Sequence, residues 1–254
     1  MQMAHRILDS IHLINRERIC ALAVMTKEPR AGQVKTRLQP PLTPQEAAQL
    51  NICFLRDTAA AIKSACRNEA IGIGVFTPIG SEAAYIDIFP SEFRLLPQRG
   101  DEFGERLAFA FEDLFRCGFG SVCLIDSDSP TVSSEIYAQA VADLARSRDQ
   151  VVLGPSDDGG YYLIGLKQNH HELFERIDWS TERVLNQTVD RAKQLKIEIT
   201  LLPNCYDVDD RHSLNRLFAE LLDDRAPAAV APHTRKFLLE LVRAKGGPQN
   251  FGAQ

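Results

Sequence analysis

Short apolar runs separated by longer helix-like segments set the pattern of this chain. Helical spacing of apolar residues predicts helices at 105–117, 134–148, 181–195 and 211–222. Runs rich in β-branched and aromatic residues predict strands at 19–25, 71–76, 121–126, 151–154, 161–166 and 198–202. This alternation predicts an α/β fold with a mostly parallel central sheet and helices on both faces. The run at 161–166 follows its neighbour after a short turn, which favours an antiparallel strand there.

Start signals and composition suggest how the chain is divided. In "TPQEAAQL", Thr43 is placed as an N-cap, Pro44 as the first helical residue and Glu46 as the partner in a capping box. We predict one domain with a peripheral segment at each end, divided as an N-terminal extension at 1–18, the domain at 19–222 and a linker with a last amphipathic helix at 223–254. That last helix, "HTRKFLLELV", could pack on its own domain or on a partner such as a second copy in a homodimer.

The bulk numbers exclude several classes of protein. With 44% hydrophobic and 25% charged residues, the 254-residue chain has an ordinary globular composition. Its net charge of -5 argues against binding to nucleic acid or to an anionic membrane surface, so phosphate binding should be local. The six cysteines form no CxxC pair, which indicates reduced thiols rather than a zinc site. Because no window approaches a membrane span, we expect a cytoplasmic protein.

The loop after the first predicted strand concentrates positive charge. In open α/β sheets ligands bind beyond the carboxyl ends of the strands. "TKEPRAGQVKTRL" places Lys27, Arg30, Lys35 and Arg37 there, together with Gly32, where the backbone can approach a ligand closely. A solvated basic loop is the alternative, and the P-loop pattern GxxxxGK[ST] is absent. The loop is a candidate phosphate-binding site for a nucleotide.

Carboxylates follow two other predicted strands. "LIDSDSPTV" places Asp126 and Asp128 where oxygen ligands for Mg²⁺ or Mn²⁺ would lie, although Asp128 could instead cap a turn. "YDVDDRHSL" adds Asp207, Asp209 and Asp210 after the last strand, and capping explains only one of these three. A basic loop and two acidic loops at strand ends are what a metal-bridged nucleotide diphosphate requires.

The segment "VVLGPSDDGGYYLIGL" has a longer loop than a hairpin needs. Its aspartates, Asp157 and Asp158, could accept hydrogen bonds from sugar hydroxyls or hold metal-bound water, and its glycines permit unusual backbone conformations. A solvated turn is the alternative. The single tryptophan, Trp179, could line the acceptor side of a site, although a Trp before a helix is more often a packing contact.

Taken in order, seven segments resemble the bacterial GT-A-like proteins of the nucleotide-diphospho-sugar transferase superfamily, including those described as arsenosugar-biosynthesis-type glycosyltransferases. The segments are "KEPRAGQVKTRL", "PQRGDEFGERL", "DSDSPT", "GPSDDGGYYLIGL", "WSTERVL", "DVDD" and "APHTRKFLLEL". The resemblance covers residues 19–242. More distantly, the layout is similar to the 2-phospho-lactate and molybdenum-cofactor guanylyltransferases.

This resemblance implies a GT-A, Rossmann-like three-layer αβα sandwich that binds a nucleotide and a divalent metal, Mg²⁺ or Mn²⁺. Asp128 matches the aspartate before Ser-Pro, the expected metal ligand, and the family commonly has Gly at the position of Asp126. The matching positions imply nucleotide binding by Lys27, Gly32, Lys35, Arg37, Arg99 and Arg106, and Gly104 lies in the same motif as Arg99 and Arg106. They imply metal binding by Asp128, Asp207 and Asp209. They imply substrate contacts by Asp157, Asp158, Gly159, Gly160 and Tyr161.

Three functions remain open on the sequence. The leading hypothesis is a metal-dependent glycosyltransferase that uses a nucleotide sugar and a small-molecule acceptor, with Asp128, Asp157 and Asp158 in catalytic roles and Trp179 at the substrate. The alternative is a nucleotidyltransferase that joins an NTP to a phosphorylated or carboxylated small molecule and releases pyrophosphate. A non-catalytic nucleotide-binding protein on the same fold is the third.

Overall fold

The computed structural model describes residues 5–8, 16–66, 68–146, 148–223 and 225–246. Its strands are β1 (Arg6–Ile7), β2 (Arg16–Lys27), β3 (Ala70–Thr77), β4 (Arg94–Pro97), β5 (Phe119–Ile125), β6 (Gln150–Pro155), β7 (Tyr161–Leu166) and β8 (Glu198–Leu201). Its α-helices are α1 (Pro44–Ala65), α2 (Phe103–Arg116), α3 (Ser134–Leu144), α4 (Val184–Gln194), α5 (Arg211–Leu222) and α6 (Pro232–Ala244). The six predicted strands and the predicted helices are all present, with ends that shift by a few residues.

The strands that the structure describes form one sheet, in the order β1-β4-β3-β2-β5-β7-β6-β8. Neighbouring strands are parallel except around β7, which runs antiparallel to both β5 and β6. The α/β class, the mostly parallel sheet and the antiparallel strand at 161–166 are therefore confirmed. Two strands were not predicted: β1 has only two residues, and the four residues of β4, "RLLP", include no β-branched or aromatic residue that would mark a strand. β1 pairs with β4, so part of the predicted N-terminal extension belongs to the sheet.

Successive residues of β2 separate the two faces of the sheet. Leu22 packs with Leu55 of α1 and Tyr137 of α3 on one face, whereas Ala23 packs with Phe111 of α2 on the other. This alternation is the period of two of a strand, and it gives each face its own layer of helices. The expected three-layer αβα sandwich is confirmed.

The C-terminal helix packs on the domain itself. Leu238 and Leu241 of α6 lie in one apolar cluster with Phe54 of α1 and Leu217 of α5. The backbone N–H groups of His233 and Thr234 donate to the Asp57 carboxylate of α1, at 2.9 and 2.8 Å. The sequence had left both an intramolecular and an intermolecular position open, and these contacts assign the helix to its own domain.

The sheet order brings the candidate loops together. The carboxyl ends of β2 and β5 are neighbours, and the reversed direction of β7 returns the β6–β7 loop to the same edge. β8 runs parallel to β6, so the segment after β8 also begins at this edge. Among the described helices, none has the length and apolar character needed to cross a membrane.

Candidate functional site

A cavity of about 640 Å³ opens at the edge where these strands end. Its polar wall combines side chains from all four candidate loops: Arg37, Asp126, Asp128, Ser156, Asp158, Asp207 and Asp209. Its apolar wall includes Met25, Phe103, Leu107, Tyr161 and Trp179. The structure therefore gathers residues that lie up to 184 positions apart, from Met25 to Asp209, into one site.

A smaller cavity of about 260 Å³ adjoins the first and shares Arg37, Asp128 and Asp209 with it. Lys27 and Lys35 line this second space. The basic loop that leads into it passes through Gly32, whose φ of +75° lies in the region that favours glycine. The predicted basic loop thus faces the predicted acidic loops, which is the arrangement that a phosphate group between cations and a metal requires.

Lys35 is the central charged residue of the site. Its side chain is only 4% exposed, and its Nζ lies 2.8 Å from Asp128 Oδ1 and 2.7 Å from Asp209 Oδ1. It also donates to the carbonyl oxygen of Val208 at 2.8 Å. Burial alone would lower the Lys35 pKa, but the two carboxylates outweigh that effect and raise it. Lys35 therefore stays charged and holds the loop after β5 against the loop after β8.

Negative charge in the cavity exceeds what this ammonium group compensates. Burial, followed by the Asp128 carboxylate, raises the pKa of Asp126 well above its ordinary value. Burial and the charges of Asp158 and Asp209 raise the pKa of Asp207 to about 6. Burial also opposes ionisation of Asp209, but Lys35 outweighs it, so the pKa of Asp209 is lowered. Asp126 and Asp207, whose pKa values are raised, would be stabilised in their ionised form by a bound cation or by hydrogen-bond donors.

The aspartates predicted to hold a metal line one cavity without forming a ready-made metal centre. Within the described part of the chain, no three His, Cys, Asp or Glu side chains are grouped so that they could hold a metal ion. Mg²⁺ in nucleotide sites usually takes only one or two carboxylates and completes its shell with phosphate oxygens and water. Hard carboxylate oxygens beside a basic loop fit a metal that is bound together with a nucleotide, so metal binding stays a prediction.

The two adjacent aspartates of the β6–β7 loop have different surroundings. Asp158 lines the cavity, and one of its oxygens accepts a hydrogen bond from the N–H of Gly160 at 2.8 Å. Asp157 does not line it; its carboxylate accepts hydrogen bonds from Arg216 and Asn204, and these bonds lower its pKa. Of the two aspartates predicted to be catalytic, the structure places Asp158 at the cavity and Asp157 outside it, paired with Arg216, and their catalytic roles stay predictions.

The glycines of this loop have structural reasons for being glycine. Gly159 has a φ of +85°, and a Cβ there would lie 2.2 Å from the carbonyl oxygen of Glu182. The Gly159 carbonyl accepts a hydrogen bond from Leu185 N at 2.8 Å. This close backbone contact fixes the β6–β7 loop to the start of α4, and Gly160 then lines the cavity.

Aromatic side chains form the opposite wall. Trp179 and Phe103 meet edge to face, with ring centroids 5.3 Å apart and planes at 74°. A Cβ at Gly104 would lie 2.4 Å from Trp179 Nε1, so only glycine at this position lets the indole pack on the first turn of α2. Trp179 therefore both packs and lines the cavity, the two alternatives that its sequence position had left open.

Comparison with known proteins agrees with this geometry. Residues 61–181 match the family described as uncharacterized proteins conserved in bacteria, DUF2064. A solved structure from Desulfovibrio desulfuricans, provisionally named a nucleotide-diphospho-sugar transferase, is 28% identical with a TM-score of 0.76, covering 89% of this chain and 95% of that one. Both matches support the GT-A-like nucleotide-diphospho-sugar transferase superfamily that the sequence segments resemble. No curated protein matches the chain.

Two further structures share the GT-A-like fold at low identity. A CMP:2-keto-3-deoxy-manno-octonic acid synthetase complexed with CTP is 8% identical, with a TM-score of 0.50 over 81% of this chain and 99% of its own. A 4-diphosphocytidyl-2C-methyl-D-erythritol synthase from Anaerococcus prevotii is 10% identical, with a TM-score of 0.52 over 81% of this chain and 97% of its own. At such identities the likeness shows the fold alone. The predicted superfamily and fold are confirmed, whereas the narrower arsenosugar-type likeness stays a prediction.

Two arginines that the GT-A-like resemblance assigned to the nucleotide lie outside both cavities. Arg99 pairs with Asp113 at 2.7 Å and Glu112 at 3.0 Å, and its guanidinium lies 4.4 Å above the Phe109 ring. Arg106 donates to the backbone carbonyls of residues 100 and 101, at 3.1 Å each. These contacts anchor α2 and the loop before it and place neither guanidinium group in the two cavities, so nucleotide binding by these arginines stays a prediction.

Several residues of the site could not be recognised from the sequence alone. Ser156 donates to Asp207 at 3.1 Å and lines the cavity, but a serine in a loop indicates nothing by itself. Arg216 lies 59 residues after its partner Asp157, on the helix α5, so their pairing depends on the tertiary fold. The cavity position of Phe103 could have been suspected, because the first residue of a polar-flanked helix is rarely aromatic without a contact to make.

Proposed function

We propose that this protein is a glycosyltransferase that transfers a sugar from a nucleotide-diphospho-sugar donor to a small-molecule acceptor. The observation that supports this most is the meeting of the basic loop with the carboxylates of Asp128, Asp207 and Asp209 around two adjoining cavities. A diphosphate is the ligand group that needs both cationic side chains and metal-holding carboxylates. The larger cavity then leaves room beyond the diphosphate for the sugar and the acceptor.

The side chains divide the work of holding the donor. Lys27 and Arg37 are exposed at the cavities and are placed to bind the phosphate oxygens. Lys35 keeps Asp128 and Asp209 in position and adds its charge near the leaving group. Asp128, with Asp207 or Asp209, would hold Mg²⁺ or Mn²⁺. The ion would stabilise the negative charge that develops on the leaving diphosphate.

Asp158 is the carboxylate that we assign to the acceptor. It lines the larger cavity and is exposed, so its carboxylate can accept a proton or a hydrogen bond from a hydroxyl of the ligand. The backbone N–H of Gly160 donates to one Asp158 carboxylate oxygen at 2.8 Å, which leaves the other oxygen for the ligand. Asp157 takes no part in this assignment because Arg216 holds it elsewhere.

The test is a thermal-shift panel of NTPs, NDPs and nucleotide sugars, each with and without Mg²⁺ or Mn²⁺. A ligand at about 100 times its dissociation constant adds about 2.7 kcal/mol to the free energy of unfolding. A metal-dependent shift that is largest for one nucleotide sugar supports the proposal. A preference for an NTP, with pyrophosphate release, would instead favour nucleotidyl transfer, and binding without turnover would favour a non-catalytic protein.

The variant Asp128→Asn tests the metal-binding assignment. We expect this variant to lose the metal-dependent part of the thermal shift. Asp190→Asn is the matched control, since Asp190 is exposed on α4 and pairs with Lys193. If Asp128→Asn keeps the full metal-dependent shift, the metal-binding assignment is wrong. If no nucleotide shifts the wild-type protein, the basic loop is only a charged surface.

A further inference from the structure

The larger cavity has two chemically different ends. One end carries the aspartates that follow β5 and β8, and the other is lined by the aromatic rings of Phe103, Tyr161 and Trp179. A diphosphate and a metal account for the charged end, but they have no use for an aromatic wall. The aromatic end fits a flat apolar ring, and in a reaction of a nucleotide sugar that ring belongs either to the nucleobase or to the acceptor.

Phe103 is the unusual member of this wall. It is the first residue of α2 and remains 52% exposed, although its ring already contacts Trp179 edge to face. The indole itself is fixed by its packing on Gly104, where a side chain would collide with Nε1 at 2.4 Å. The rings of Phe103 and Trp179 meet at 74°, and the Phe103 ring is half exposed. Together they form a corner into which a flat apolar group fits.

The electrostatics of the cavity restrict the charge of that ligand. In the described part of the chain, the cavity wall carries one guanidinium, that of Arg37, and five carboxylates besides Asp126: Asp128, Asp158, Glu182, Asp207 and Asp209. The buried ammonium of Lys35 pairs with two of the five but adds only one positive charge, so negative groups remain in excess. A divalent metal and a nucleoside diphosphate carry opposite charges of similar size, so they would leave this excess in place. An anionic acceptor is repelled by such a site, whereas a neutral or cationic one is not.

We propose that the acceptor carries a flat apolar ring that stacks against Phe103 and Trp179, together with a hydroxyl, and that its charge is neutral or positive. This inference rests on the proposed function and names the substrate class of the same site. The acceptor hydroxyl oxygen forms a bond to the anomeric carbon of the donor. The bond from that carbon to the diphosphate oxygen breaks with its electron pair on the nucleoside diphosphate, and the hydroxyl proton passes to the Asp158 carboxylate.

The single tryptophan makes the aromatic corner directly observable, because all indole fluorescence comes from Trp179. Three probes share one ring and differ in the charge of their side chain: tyramine is cationic, tyrosol is neutral and 4-hydroxyphenylacetate is anionic. Each is titrated into the wild-type protein with indole-selective excitation, with and without Mg²⁺ and the nucleotide that gave the largest thermal shift. Saturable changes in fluorescence give the dissociation constants.

We expect tyramine and tyrosol to bind at least about tenfold more tightly than 4-hydroxyphenylacetate, since the excess carboxylates repel only the anion. We expect Phe103→Ala to weaken tyrosol binding by about fivefold, the scale of one aromatic contact. Ile79→Ala is the matched control, because Ile79 is 74% exposed and lines neither cavity. Far-UV circular dichroism verifies that Phe103→Ala keeps its fold.

Equal or tighter binding of the anionic probe overturns the charge part of the proposal, and an unchanged dissociation constant in Phe103→Ala overturns the aromatic part. If nucleotides shift the wild-type protein but no ring probe binds, or the bound nucleotide displaces the probes, the acceptor assignment fails while the proposed function stands. If no nucleotide shifts the protein, the proposed function fails first, and the probes then report only on the cavity.

Discussion

Two adjacent aspartates of the β6–β7 loop, Asp157 and Asp158, have different positions: one makes a structural contact and the other lines the cavity. Asp157 pairs with Arg216, whose guanidinium also lies 3.8 Å above the Tyr206 ring, so this aspartate ties the loop to α5. Asp158 turns the other way into the cavity. Both side chains are exposed and chemically identical, and the contacts of Asp157 with Arg216 and Asn204 leave only Asp158 of the two at the cavity.

The different positions of Asp157 and Asp158 predict different losses of activity in two matched variants. Asp158→Asn keeps an oxygen for the Gly160 N–H but cannot accept a proton, so we expect kcat/KM to fall by about 10²–10⁴-fold. Asp157→Asn loses an exposed ion pair, so we expect activity within about twofold of wild type and a loss of less than about 1 kcal/mol in the free energy of unfolding. Steady-state kinetics with the donor found in the thermal-shift panel, together with urea unfolding, measure both. Equal kinetic losses in the two variants would contradict the division.

The charge excess of the cavity predicts a pH dependence of stability. The pKa of Asp207 is raised to about 6 in the folded protein. In the unfolded chain it returns to about 4, the usual value for aspartate. Between these two values the folded state binds more protons than the unfolded state, so this group lowers stability as the pH rises, and its cost is complete above the folded pKa.

Asp207→Asn removes that cost. In nucleotide-free protein, we expect the free energy of unfolding of the variant, relative to wild type, to increase from about pH 4 to about pH 6 and then to level off. Urea unfolding over this range measures it. Asp210→Asn is the control: hydrogen bonds from Ser213 lower the Asp210 pKa, so its contribution changes below about pH 4 and its difference from wild type should stay constant over this range. A difference between Asp207→Asn and wild type that does not vary with pH would show that the aspartate ionises normally.

At the scale of elements, the helices differ in where their caps come from. Thr43 and Glu46 close the capping box of α1 as predicted, and Asp210 accepts from Ser213 N at the start of α5. α6 begins after Ala231, which has no side chain that could cap. Its first N–H groups are capped instead by Asp57, 176 residues earlier in the chain. A local cap can be read from sequence, whereas this one requires the packed tertiary structure.

The long-range cap predicts that α6 depends on one carboxylate of α1. Asp57→Ala leaves the N–H groups of His233 and Thr234 without their acceptor, and we expect a loss of about 2–3 kcal/mol in the free energy of unfolding. Urea unfolding measures the loss, and limited proteolysis tests whether cleavage concentrates near the start of α6. Glu240→Ala, an exposed change on the same helix, is the control and should cost less than about 0.5 kcal/mol. A similar stability in both variants would mean that the apolar contacts alone hold α6.

The same distinction explains how much of the molecule the sequence could predict. Strands rich in β-branched or aromatic residues and helices with apolar residues at helical spacing carry their own signals, and the loops after the strands contained Lys35, Asp128, Asp158 and Asp209. The pairing of Lys35 with two aspartates more than 90 residues away, and the removal of Asp157 by Arg216, depend on strand order and helix packing. Sequence therefore located the chemistry but could not state which charged groups compensate each other.

For the whole molecule, the strand directions decide where the site forms. β2, β5 and β6 end at one edge of the sheet, so the loops that follow them begin there. Because β7 runs antiparallel to β6, a short loop joins the two at that edge, whereas a parallel β7 would need a crossover to the opposite edge first. Four loops separated along the chain thus line one cavity, with the sheet as a rigid support.

This arrangement predicts a one-sided response to ligand in hydrogen exchange. With Mg²⁺ and the nucleotide that binds best, we expect slower exchange in the segments 27–43, 126–133, 156–160 and 203–210, because the ligand would join all four. The opposite edge of the sheet and α6 should exchange at unchanged rates. Asp128→Asn with the same additions is the control and should show little protection. Protection confined to one loop would mean that the ligand binds there alone, and protection spread evenly would indicate general stabilisation rather than a site formed by the four loops.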